Sequence, residues 1–132
     1  MNNPITTPLH AVQYAWGDIM PEPGDAREKA IMISLDRANR PIKLTHVAIG
    51  DYCSVRYDLR FVVKQALLDN ALSVVFLHSH PNGSPAPGAQ DIRETEKLRQ
   101  GFGVFSISLV DHIIVSPDGS FYSFAEETVH NI

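Results

Sequence analysis

The stretch SVVFLHSHPNGSPAPGAQDIRETEKLRQGFG, Ser73 to Gly103, decides how this chain folds. SVVFLHSH is rich in β-branched and aromatic residues, the composition of a core strand. PNGSPAPG holds three prolines and two glycines and cannot continue any regular element. Asp91 then begins a polar helix, at or beside its N-cap, where free backbone N–H groups favour a carboxylate. Gly101 or Gly103 stops that helix.

Upstream, YDLRFVVKQALLDNA places Leu59, Val62, Val63, Ala66 and Leu67 at i, i+3, i+4, i+7 and i+8, an amphipathic helix. Before it, AIMISL reads as a largely buried strand, DRANRP as a turn and IKLTHVAI as a second strand, together a hairpin. Downstream, SISLVDHIIV and SFYSF are strands joined by the turn SPDG. The order β-β-α-β-α-β-β predicts an α/β fold, a mixed sheet with helices packed on it, over residues 26–132. Residues 1–25 contain four prolines and no clear period, which predicts an extended N-terminal arm. Its middle, AVQYAWGDIM, could form one short element. Tyr14 and Trp16 would anchor the arm to the body or to a second subunit, the latter giving a homodimer.

At 132 residues the chain has the length of one domain with one core. Its net charge is −4, with cations scattered among acids rather than gathered in a basic stripe. Direct nucleic-acid binding is therefore not expected. No apolar run reaches bilayer length and the start lacks the pattern of a secretory signal, so a cytoplasmic, membrane-free protein is expected. Cys53 is the only cysteine, which excludes an intrachain disulfide and a thiolate metal cluster. It reads as a small buried apolar group.

Residues i and i+2 of a strand share a face. His78 and His80 can therefore present two imidazoles to one ion, with Ser79 on the other side. The Pro/Gly loop can fold back to bring Asp91 alongside. Two histidines and a carboxylate leave an open position on tetrahedral zinc, where a water reaches a pKa of roughly 7 and a carbonyl is polarised. A general base outside the ligand set would complete the chemistry. On spacing alone, this and a pair of hydrogen-bonded strand-end histidines remain equally open. His46 and His112 read as structural, hydrogen-bonded histidines, and His10 and His130 as solvated.

HSHPNGSPAPGAQD resembles the JAMM metal-binding motif, H-S/T-H, seven residues, then S-x-x-D. Here His78 and His80 are followed by seven residues, Pro81 to Pro87, and then Gly88, Ala89, Gln90 and Asp91. LRFVVKQAL, LVDHIIV and YSFAEE are similar, in order, to segments of the RadC-like branch of the JAB/MPN family, over about residues 27–127. The resemblance implies a JAMM-type, cytidine deaminase-like mixed β-sheet flanked by α-helices, with Zn2+ held by His78, His80 and Asp91. It implies a catalytic glutamate within REKAIMISLD, which falls on Glu28; without the resemblance Glu28 reads as a solvated charge before the first strand. The activity implied is zinc-dependent cleavage of amide, peptide or isopeptide bonds in a peptide or protein substrate.

Gly88 departs from the pattern. The serine expected there helps stabilise an oxyanion, and losing one such donor typically costs roughly 100- to 1000-fold in turnover. Ser84, in the same loop, and Ser79 are the hydroxyls at hand. Two other classes stay open: a zinc-binding interaction domain with weakened catalysis, and a RadC-type DNA repair or recombination-associated protein. Such proteins usually carry a helix-hairpin-helix region ahead of this domain, and the residues before Arg27 do not hold one.

Overall fold

In the computed structural model, which describes residues 3–20, 27–49 and 57–131, β1 (Lys29–Leu35) shows why AIMISL has no polar face. Alternate side chains go to opposite sides of a strand. Ile31, Ile33 and Leu35 join one apolar cluster, Ala30 and Met32 another, and both are buried. The remaining elements are α1 (Pro8–Ile19), β2 (Pro41–Ile49), α2 (Leu59–Leu68), β3 (Ser73–Ser79), α3 (Ala89–Gly103), β4 (Ser108–Val115), β5 (Ser120–Ser123) and β6 (Thr128–Asn131).

The strands form one sheet in the order β2-β1-β3-β4-β5-β6. β3 runs parallel to β4 and antiparallel to β1; the β1–β2, β4–β5 and β5–β6 pairs are antiparallel. The hairpin of β1 and β2 and the mixed sheet flanked by helices are as the sequence predicts. α1 covers one face, packing Ala11, Val12, Ala15 and Ile19 on Val75, Leu77, Ile113 and Val115. α2 and α3 cover the other, where Val62, Val63, Ala66, Leu98 and Phe102 meet Val74 and Phe76. Every residue of the central strand β3 is buried.

The N-terminal segment differs from expectation. Residues 8–19 are helical rather than extended, so the short element anticipated within AVQYAWGDIM is a helix that starts earlier, and α1 belongs to the main core. Pro8 occupies the first helical turn, where a missing N–H costs nothing. The Thr7 hydroxyl caps it by accepting the His10 N–H at 3.1 Å. Trp16 packs against the same core while Tyr14 lies exposed. Asp18 reaches His46 of β2 at 3.3 Å.

Two smaller differences follow from burial. Leu67, placed on the buried stripe of α2, is 44% exposed, whereas Val62, Val63 and Ala66 are buried as predicted. The polar strand β6 extends the sheet beyond SFYSF. α2 and α3 approach closely: a Cβ on Gly101 would sit 3.1 Å from the Leu59 side chain. Cys53 lies outside the described residues. No described helix is long and apolar enough to cross a membrane.

Parallel strands need a crossover connection. Between β3 and β4 that connection is α3, so the helix N-terminus returns to the carboxyl end of β3. In open α/β sheets that end is where ligands bind.

Candidate metal centre

β3 does not stop sharply at Ser79, because the His80 N–H still donates to the Val115 carbonyl of β4 at 2.8 Å. The loop then turns at Gly83, whose φ of +110° suits glycine. Ser116 donates its hydroxyl to the Gly83 carbonyl at 2.9 Å and holds the loop to the sheet. The loop ends at Gly88, the N-cap of α3. Its N–H donates to Asp91 Oδ2 at 2.7 Å, one half of a capping box.

His78 Nε2 and His80 Nε2 lie 3.1 Å apart. His78 Nε2 is 3.1 Å from Asp91 Oδ1, and His80 Nε2 is 3.6 Å from Asp91 Oδ2. The edge between ligands around tetrahedral zinc, with bonds of 2.0–2.1 Å, is about 3.3–3.4 Å. The three spacings bracket that value. Proton bookkeeping supports the same fit. His80 Nδ1 faces the Ser84 carbonyl at 2.9 Å and must donate to it, which leaves Nε2 of the neutral ring as a lone pair. This lone pair meets a carboxylate and a second imidazole nitrogen. Such a set of acceptors calls for a cation at its centre, and this group could hold a metal ion.

The electrostatics agree. Burial pushes the Asp91 carboxyl up, but contacts with His78 and His80 and the Gly88 N–H outweigh it, so Asp91 stays well below the usual carboxylate range. For His80, burial pulls the pKa down. The Asp91 side chain, the Ser84 carbonyl and the charges of Asp91 and Glu28 reverse this, and the net shift is upward.

These groups open on a cavity of about 520 Å³ that Glu28, Tyr57, Gly88, Gln90, Glu94 and His112 also line. No lysine or arginine is among its described lining residues. Burial and then Glu94 raise the Tyr57 phenol, which keeps it a neutral donor.

The family model of the RadC-like JAB domain matches residues 5–129, α1 included. The chain belongs to the RadC-like JAB domain family. A UPF0758 protein of Coprothermobacter proteolyticus is 34% identical over 114 residues, 84% of this chain and 48% of the relative. One from Methanosarcina acetivorans is 40% identical over 101 residues, 76% and 44% of the two chains. One from Shouchella clausii is 36% identical over 122 residues, 92% and 51%. The chain thus spans about half the length of these curated relatives.

In this RadC-like JAB domain the structure gathers His78, His80 and Asp91 at one point, with Glu28 and Gly88 on the wall of the same cavity. Ser79 and Ser84 lie apart from it. The Ser79 hydroxyl is buried and accepts the Lys29 N–H at 2.9 Å. Ser84 contributes its carbonyl to His80, while its hydroxyl accepts the Ala86 N–H at 3.3 Å. Neither serine lines the cavity.

One residue of the cavity wall was missed, and a second proved to sit closer to the site than expected. Glu94 projects into the cavity from the turn of α3 after Asp91, a position its i+3 spacing could have flagged. His112, read as structural, is not a ligand, but its Nε2 contacts His78 Nδ1 at 2.8 Å. Its sequence signal was its place in LVDHIIV, and the parallel pairing of Phe76 of β3 with His112 of β4 brings it to the site.

Proposed function

We propose that this RadC-like JAB domain is a zinc-dependent hydrolase that cleaves amide, peptide or isopeptide bonds in a peptide or protein. The observation that carries this reading is the convergence of two Nε2 atoms and a carboxylate at tetrahedral spacing, with the Glu28 carboxylate on the wall of the same cavity. His78, His80 and Asp91 would hold the ion, and a nitrogen-and-oxygen donor set with room for a further group suits zinc. Zinc bound there would supply Lewis acidity, polarising a substrate carbonyl and acidifying water.

The chain's own groups supply the rest. Glu28 takes the proton of the attacking water and returns it to the leaving amine. Tyr57, kept neutral, points its hydroxyl at the Glu94 backbone carbonyl, 3.5 Å away, and so ties the cavity wall to α3. Glu28, Asp91 and Glu94 make the wall acidic and disfavour a phosphodiester, which supports an amide substrate over nucleic acid.

Glu28→Gln should lower turnover of a peptide or isopeptide substrate by about 100-fold or more, with one zinc retained per chain. Undiminished turnover in zinc-loaded Glu28→Gln would refute the mechanism.

Gly88 favours a second reading, a zinc-binding interaction domain with weakened catalysis. It has no hydroxyl, and its N–H is already taken by Asp91. Stoichiometric zinc with no turnover, in the parent and in Gly88→Ser alike, is the result that reading expects.

A further inference from the structure

His112 is buried between aromatic rings: Phe124 stacks on it at 4.9 Å between centroids, and Phe76 meets it edge-on at 5.4 Å. Both of its nitrogens are engaged, and the direction of each hydrogen bond can be counted. Thr95 Oγ1 lies 2.8 Å from the Asp91 backbone carbonyl. A carbonyl has no proton, so Thr95 spends its single hydroxyl hydrogen there. Toward His112 Nδ1, 2.6 Å away, the same hydroxyl can only accept. The proton of the neutral ring is therefore on Nδ1, and Nε2 of His112 is a lone pair. That lone pair lies 2.8 Å from His78 Nδ1, which must then carry a hydrogen. His78 Nε2 is left bare and faces Asp91 Oδ1 at 3.1 Å.

We propose that Thr95 and His112 form a tautomer lock that runs from the Asp91 backbone to His78 and holds His78 in the form that binds metal through Nε2. The lock rests on the reading of His78, His80 and Asp91 as the metal ligands. Both partners are positioning residues, acting on the ion through His78. Thr95 supplies what no carboxylate could at this depth: an acceptor that orients the imidazole without bringing a second negative charge into the core. The loop also closes on itself, since the backbone of one ligand dictates the protonation of another. Ligating histidines depend on such partners for orientation and basicity, and their loss typically costs about 10- to 100-fold in metal affinity.

The test is zinc affinity, measured by chelator competition without substrate, together with imidazole 15N NMR of the full chain. In the parent, the NMR should show His112 protonated at Nδ1 and zinc-bound His78 protonated at Nδ1. Thr95→Val keeps the shape of the side chain, removes the acceptor, and should weaken zinc binding about 10- to 100-fold. Thr95→Ser should restore it. His112→Leu should weaken binding as much. His112→Gln, whose amide oxygen can accept from His78 Nδ1–H, should recover part of the loss. A purely structural role would lower melting temperature but leave zinc affinity and the His78 tautomer of the folded variants unchanged; that result overturns the lock. So does a spectrum with His112 protonated at Nε2. A parent chain that binds no zinc overturns the metal site and the lock together, whereas zinc binding without amide hydrolysis overturns only the hydrolase reading.

Discussion

At Gly88, the residue that departs from the family pattern, the backbone leaves room for the missing group. φ is −91°, and an added Cβ would meet Asp91 Oδ2 at 3.6 Å, an ordinary contact. Gly88→Ser is therefore expected to fold normally and to raise turnover by about 100-fold, the value of one oxyanion donor; steady-state assays of parent and variant check this. The histidines give a second prediction, on pH. His80 has a raised folded pKa, so its contribution to stability is full below the unfolded value near 6.5 and is lost as pH rises through the folded value. His112 is held well below 6.5, first by burial and then by the charge of His78, so its contribution is lost as pH falls below 6.5. Metal-free protein should show a melting temperature that peaks near pH 6.5 and falls on both sides. His112→Gln should flatten the acid side. Added zinc should raise the alkaline side most, because there it no longer competes with the His80 proton. Thermal melts from about pH 5 to 9, with and without chelator, would reveal either pattern. The convergence of His78, His80 and Asp91 was legible in the sequence because all three lie within one strand, loop and helix start. His112 was not, because its partner is 34 residues away and only the register of two parallel strands joins them.

Among the elements, α1 shows where sequence pattern fell short. Two of its four buried positions are alanines, and prolines flank the segment, so its apolar stripe is faint. Packing decides the matter instead: small side chains let the helix approach the sheet, and Ile19 fills the space beside it at 0% exposure. Ile19→Ala should cost about 2–5 kcal/mol, the usual range for deleting a buried aliphatic side chain. Thr7→Ala, which removes the cap, should cost about 1 kcal/mol. Denaturant unfolding would measure both, and a null result for Ile19→Ala would argue that α1 does not belong to the cooperative core. By contrast, β1, β3 and α2 were readable at once, because strands buried on both faces and a helix at 3.6-residue spacing leave strong patterns. Leu67 misled for the same reason: its spacing fits the stripe, yet it lines an open groove with Val63, Gly101, Val104 and Phe105 and stays 44% exposed.

At the scale of the whole molecule, the cavity carries the carboxylates of Glu28, Asp91 and Glu94, and no lysine or arginine is among its described lining residues. With that lining and a net charge of −4, the isolated chain should show no salt-dependent binding to duplex or single-stranded DNA. A titration across ionic strengths checks this, and a steep salt slope would contradict it. Sequence separation within the metal centre bears on how the chain folds. His78, His80 and Asp91 span 14 residues, a loop short enough to close in an unordered chain. His112 joins only once β3 and β4 have paired, a long-range event. A zinc ion held by this trio would thus be captured by the denatured ensemble as well as by the native state. Because binding to both states cancels in part, the gain in melting temperature should fall short of what the native dissociation constant implies. Refolding started in excess zinc should be slower than refolding followed by zinc addition, since ions caught early must be released or reoriented before the parallel strands can meet.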